Sequence, residues 1–178
     1  MIVIGIDPGI TGAIALISPQ GLQACADLPV MARSSRRVRA KGGEMRDKVT
    51  NQIDAGALAE LLRDWTSGHD RNEIMVIIEK CQAMPGKVKD SDKAQSSAGT
   101  FGLGLSAGLI EGVVATLRLP HQLVHPATWK AHLKVPTGKE AARAMAIRWY
   151  PSAPLGKKKD HNRAEAVLLA RYGKEHHE

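Results

Sequence analysis

"MIVIGIDPGITGAIALISPQG", residues 1–21, places one carboxylate, Asp7, at the end of an apolar run, then turns through Pro8-Gly9 and resumes as TGAIALI. IVIGID reads as a buried strand and TGAIALI as a second, joined at a Pro-Gly turn. GLQACADL, after Pro19-Gln20-Gly21, reads as a weaker third, so the chain opens as an antiparallel meander. A carboxylate among apolar neighbours is costly unless something pairs with it. The partner has to come from the rest of the chain.

A second apolar strand, EIMVIIEK, also ends on an acid, Glu79. If it lies beside the first strand, both side chains reach one sheet edge, where two carboxylates repel unless cations neutralise them. Oxygen-rich sites of this kind suit Mg²⁺ or Mn²⁺ rather than zinc. The closing helix, DHNRAEAVLLARYG, carries His161 and Glu165 four apart on one face, with Asp160 at its first turn. Asp7, Glu79 and Glu165 with either Asp160 or His161 would hold two divalent ions. Two such ions, about 4 Å apart, activate a water on one side of a phosphodiester and steady the leaving oxygen on the other. Each residue also has a plainer reading. Asp7 could stabilise its turn, Glu79 could be a strand-end charge, Asp160 an N-cap, and His161 a residue that only lines its helix.

Along the chain the expected order is β-β-β-α-β-α-β-α, which places the acids at strand ends and on the final helix. DAGALAELLRDW predicts a helix capped by Asp54, with Leu58, Leu61, Leu62 and Trp65 on one face. SSAGTFGLGLSAGLIEGVVATLRL predicts an apolar helix whose Gly104, Gly108 and Gly112 would let another backbone approach. HQLVH reads as a short strand, and PATWKAHL and GKEAARAMAIRWY as helices. There are no internal repeats.

The chain has 178 residues, 43% of them hydrophobic, with 25 Lys and Arg against 18 Asp and Glu, so its net charge is +7. That is the size of one ordinary domain, read as a single domain over 1–178, and its charge favours a polyanion. The bases cluster in stretches expected as loops. Residues 31–50 read as a mobile basic loop carrying Arg33, Arg36, Arg37, Arg39 and Lys41. Lys87, Lys89 and Lys93 follow Glu79, Lys130 lies in PATWKAHL, and Lys157, Lys158 and Lys159 precede the last acids. These would meet DNA phosphates, which position a duplex without reading its sequence. Cys25 and Cys81 form no CxxC pair and read as free thiols of a reducing cytosol. The N-terminus lacks a basic leader and no apolar run is read as long enough to span a membrane, so a soluble cytoplasmic protein is expected.

With these residues assembled, the chain resembles the RuvC-like Holliday junction resolvases of the ribonuclease H-like superfamily, especially phage-type members. GIDPGITGAIAL is similar to the family's first strand with its metal-binding Asp, and VIIEK to the strand bearing the second acid. FGLGLSAGLIEGVV is similar to the glycine-rich helix, and HPATWKAHL, GKEAARAMAIRWYP and DHNRAEAVLLA to the closing segment. The resemblance implies an α/β, ribonuclease H-like fold: a mixed five-stranded sheet, three strands antiparallel and the rest parallel, flanked by helices. It implies a homodimeric, metal-dependent endonuclease that resolves four-way or branched DNA by paired symmetric nicks, in a bacterial or phage-infected cell. By position Asp7, Glu79 and Glu165 would ligate the metals, with Asp160 or His161 as the fourth group. Two features depart from the family. Asn162 stands three before Glu165, where bacterial members carry an aspartate, and Gln82 replaces their aromatic wedge, with Met84 the nearest apolar residue. Three other readings remain at this point. The actin and sugar-kinase group shares the first motif but needs two such domains; a nuclease of relaxed specificity could act on branched DNA or RNA–DNA hybrids; and a non-catalytic junction binder would need no metal.

Overall fold

The computed structural model describes residues 1–39, 42–81 and 97–177. Its main sheet is built from β1 (Ile2–Asp7), β2 (Ala13–Ser18), β3 (Gly21–Asp27), β6 (Ile74–Glu79) and β7 (His121–Val124), in the order β3-β2-β1-β6-β7. β1, β2 and β3 form the antiparallel meander, while β6 pairs parallel to β1 and β7 parallel to β6. This is the expected mixed five-stranded sheet.

Side-chain alternation along these strands assigns the two faces. Ile2, Ile4 and Ile6 with Ile74, Val76 and Ile78 face one layer, packing on α1 (Ala55–Thr66) and α2 (Ser97–Thr116) through Leu58, Leu62, Ile110 and Val114. Val3 and Ile77 face the other layer, formed by α3 (Pro126–His132), α4 (Lys139–Trp149) and α5 (His161–His177). Asp7 and Glu79 share the parity of Val3 and Ile77, so the alternation aims both acids at this second layer. α5 lies hard against β1. A Cβ on Gly5 would collide with Ala166 O and Ala170 N, and one on Gly173 with Ile77 and Val3. Small residues on both elements let the backbones approach.

Residues 31–50, expected as a loop, instead form most of a two-stranded antiparallel hairpin of β4 (Val30–Arg39) and β5 (Met45–Ile53). A backbone ladder builds most of it, helped by cross-strand contacts such as Arg33 to Gln52 Oε1 at 3.1 Å, so the charge-rich composition did not announce it. Its root is the ordered part of the sequence signal. Leu28 and Ile53 are buried in the core, Asp54 N donates to Pro29 O at 2.9 Å, and Asp54 then caps α1 through Ala57 N at 3.0 Å. The Asp54 cap is as expected.

α2 presents its glycines outward. Nothing lies within 4 Å of a Cβ added at Gly104, Gly108 or Gly112, so the backbone they were expected to admit is not one of this chain's described elements. The 18 residues Gly99–Thr116 also have the length and apolarity of a membrane span, with mean hydropathy 1.3, correcting the reading that no run does. Ser106, Ile110 and Val114 are buried and Leu109 and Val113 pack partly against the core, while Phe101 and Leu105 are exposed.

Candidate metal centre

The site forms at the carboxyl ends of β1 and β6. Parallel register pairs Ile6 with Ile78, so the next residues, Asp7 and Glu79, stand side by side. Close packing of α5 on β1 brings Glu165, the residue before Ala166, to the same place. One carboxylate oxygen from each of Asp7, Glu79 and Glu165 lies within 4.8 Å of the others, and all three are half-buried. These are hard oxygen donors from three elements, a set that fits a divalent ion of the Mg²⁺ or Mn²⁺ kind. Asp7 and Glu165 line a cleft of about 420 Å³ whose walls include Pro8, Thr11, Gly102, Ser106 and Asn162. The turn leading into β2 is tight: Gly9 has φ +144, and a Cβ on Gly12 would strike Asp7 O. Glycine is required at both positions.

α3 supplies two partners in succession. Trp129, fully buried, donates Nε1–H to Glu79 Oε2 at 2.8 Å. Lys130 Nζ pairs with Glu165 Oε1 at 2.9 Å and sits 4.9 Å from the centroid of the Trp129 ring. Lys130, expected among the phosphate-contacting bases, stands beside the acids. Burial raises the Glu79 carboxyl above the usual range, opposed by the Trp129 hydrogen bond, reinforced by the charge of Glu165 and opposed again by Lys130. Sequence reading passed over Trp129 because a tryptophan in an amphipathic helix looks like ordinary core. Its indole N–H is a donor that needs a buried acceptor, and that was the available signal.

Asp160 does not join this group, which corrects its expected role as a metal ligand. Its carboxylate is buried beneath a single 3₁₀ turn, Lys158–Asp160, and accepts from Lys157 N at 2.7 Å. It faces Cys25 and Arg163, toward β3. It caps that turn from its third position, with Lys157 as the N-cap residue, rather than serving as the N-cap of α5. His161 also stands outside the three-acid group; its Nδ1 is 3.4 Å from Lys158 O, and it lines a neighbouring cavity with Ile10, Asp27, Val30 and Lys159. Asn162 does face the acid cleft, and its Nδ2 donates to Thr11 O and Thr11 Oγ1.

Of the expected DNA-contacting bases, Arg33, Arg37 and Arg39 are exposed on the hairpin, and Lys157, Lys158 and Lys159 are exposed beside the start of α5. Lys41, Lys87, Lys89 and Lys93 lie outside the described residues, as do Gln82 and Met84. The thiols are free, as expected, and buried enough to stay protonated: Cys25 is pushed up to about 12, and Cys81 to about 11 by burial and the nearby charges of Glu79 and Asp7. Neither is a nucleophile at neutral pH.

No protein-family model and no curated protein matches the sequence. Solved structures do match in fold. A Thermus thermophilus RuvC in complex with a Holliday junction substrate is 14% identical, with a TM-score of 0.53 over 97% of this chain and 92% of that one. A second Thermus thermophilus RuvC structure is 17% identical, with a TM-score of 0.53 over 99% of this chain and 97% of that one. The strand order and the helical layers are thus those of the ribonuclease H-like fold that RuvC has.

Proposed function

We propose that the chain is a divalent-metal-dependent endonuclease that nicks four-way DNA junctions, acting as a homodimer. The observation that carries this reading is the meeting of Asp7, Glu79 and Glu165, from β1, β6 and α5, within 4.8 Å at one cleft. A bound ion would polarise the phosphodiester and lower the pKa of an attacking water. The chain's own part is to hold the three oxygens in place, with Trp129 and Lys130 fixing two of them. The basic hairpin and the Lys157–Lys159 run supply phosphate contacts on either side.

The dimer reading rests on α2. Phe101, Leu105, Gly108, Gly112 and Ala115 form one exposed stripe of apolar and small residues along the helix. Such a stripe at helical spacing suits a second helix of the same kind. Paired nicks on a two-fold junction would then follow from two-fold symmetry of the protein.

The test uses a labelled four-way junction, a linear duplex and an RNA–DNA hybrid with Mg²⁺ or Mn²⁺. The native chain is expected to place paired nicks in the junction only. Asp7→Asn is expected to abolish nicking while junction binding persists. Asn162, neutral where bacterial relatives of the fold carry an acid, is the one observation favouring a junction-binding protein without catalysis. Tight binding with no nicking at any metal concentration would establish that second reading.

A further inference from the structure

We infer that each site holds a single divalent ion, and that the Lys130 ammonium takes the place of a second. This rests on the nuclease reading above and revises its two-ion form. Among the described residues no fourth acid joins the three: Asp160 is buried in its cap toward β3, and the Asn162 amide is neutral with its nitrogen committed to Thr11. In its place the site contains a cation, Lys130 Nζ, 2.9 Å from Glu165 Oε1. Three carboxylates less one ammonium leave two negative charges, which one divalent ion neutralises. A second ion would face an ammonium already resident on one of its ligands, and would leave the site with net positive charge.

The ammonium is also seated rather than trailing in solvent. Trp129, buried and hydrogen-bonded to Glu79, fixes α3, and its ring lies 4.9 Å below Lys130 Nζ. A cation over an indole face is held by the ring quadrupole. Lysine binds phosphate as a point charge, so Lys130 can pass from Glu165 to a non-bridging oxygen of the phosphodiester once the ion claims that carboxylate. Trp129 is therefore a positioning residue for both halves of the site.

The experiment counts ions. Mn²⁺ is titrated into the intact protein without DNA, with free Mn²⁺ followed by electron paramagnetic resonance. The Mn²⁺ order of junction nicking is measured in parallel. The native chain is expected to bind one Mn²⁺ per subunit and to nick with first-order dependence. Lys130→Gln is expected to open a second Mn²⁺ site within about tenfold of the first, while Lys130→Arg, which keeps the charge, retains one. Two native sites of comparable affinity, or second-order nicking by the native chain, would overturn the inference. The native result decides even if the glutamine variant does not fold. One bound Mn²⁺ without nicking would uphold the ion count and overturn the nuclease reading instead.

Discussion

At Glu79 two opposed demands meet in one side chain. Burial disfavours its charged form and Glu165 repels it, while the Trp129 N–H and the Lys130 charge favour it. A raised carboxyl pKa lets protons compete with a metal ion at higher pH than an ordinary glutamate would. Metal affinity therefore falls as pH drops through that raised value and is fully present above it. Trp129→Phe removes a donor to the charged form, so the Glu79 pKa rises further. The midpoint of Mn²⁺ binding against pH is expected to move upward in that variant, measured by titration at a series of pH values; an unmoved midpoint would remove Trp129 from the site. Asp7 and Glu79 were legible in sequence because each is an acid ending an apolar run. Trp129 and Lys130 were not, because their meaning lies in what faces them.

Among the elements, the seam between β1 and α5 decides whether there is a site at all. Gly5 and Gly173 leave no room for a Cβ against the opposing element. Gly5→Ala must push α5 outward, at a cost of about 1–3 kcal/mol for overpacking. Because Glu165 rides on α5 beside Ala166, the same variant is expected to weaken Mn²⁺ binding along with thermal stability, read by a melt and a titration on one sample. The hairpin makes a separate prediction. Replacing Arg33, Arg37 and Arg39 by Glu should lower junction affinity and flatten its salt dependence, by about 0.9 in log–log slope per lost phosphate contact. An unchanged slope would exclude the hairpin from the DNA path. Periodicity revealed the buried strands and the amphipathic helices. It could not reveal β4 and β5, whose side chains beyond the buried Ile53 at the root are mostly exposed and which are joined by a backbone ladder.

Over the whole molecule, the unbalanced feature is α2. One side packs on the sheet through Ser106, Ile110 and Val114; the other presents Phe101, 74% exposed, and Leu105, 46% exposed. Among the described residues this stripe is left uncovered, and in the proposed dimer a second copy would cover it symmetrically. Phe101→Glu with Leu105→Glu is expected to convert a dimer into a monomer by light scattering, while Mn²⁺ binding per chain stays within about twofold of the native value. A native protein that is monomeric at working concentrations would refute the dimer. The metal site lies within one chain, so the two properties separate.

From sequence alone came the strands of the main sheet, the acids at the ends of β1 and β6, and the helix bearing Glu165, since alternation, apolar runs and turn residues are local signals. Which acids meet was decided only in three dimensions. Parallel register set Asp7 beside Glu79, and the glycine seam brought in Glu165. The backbone turn before α5 drew Asp160 away to serve as a cap. Spacing along a helix places residues on a face, but only the packing of that face determines what a carboxylate will touch.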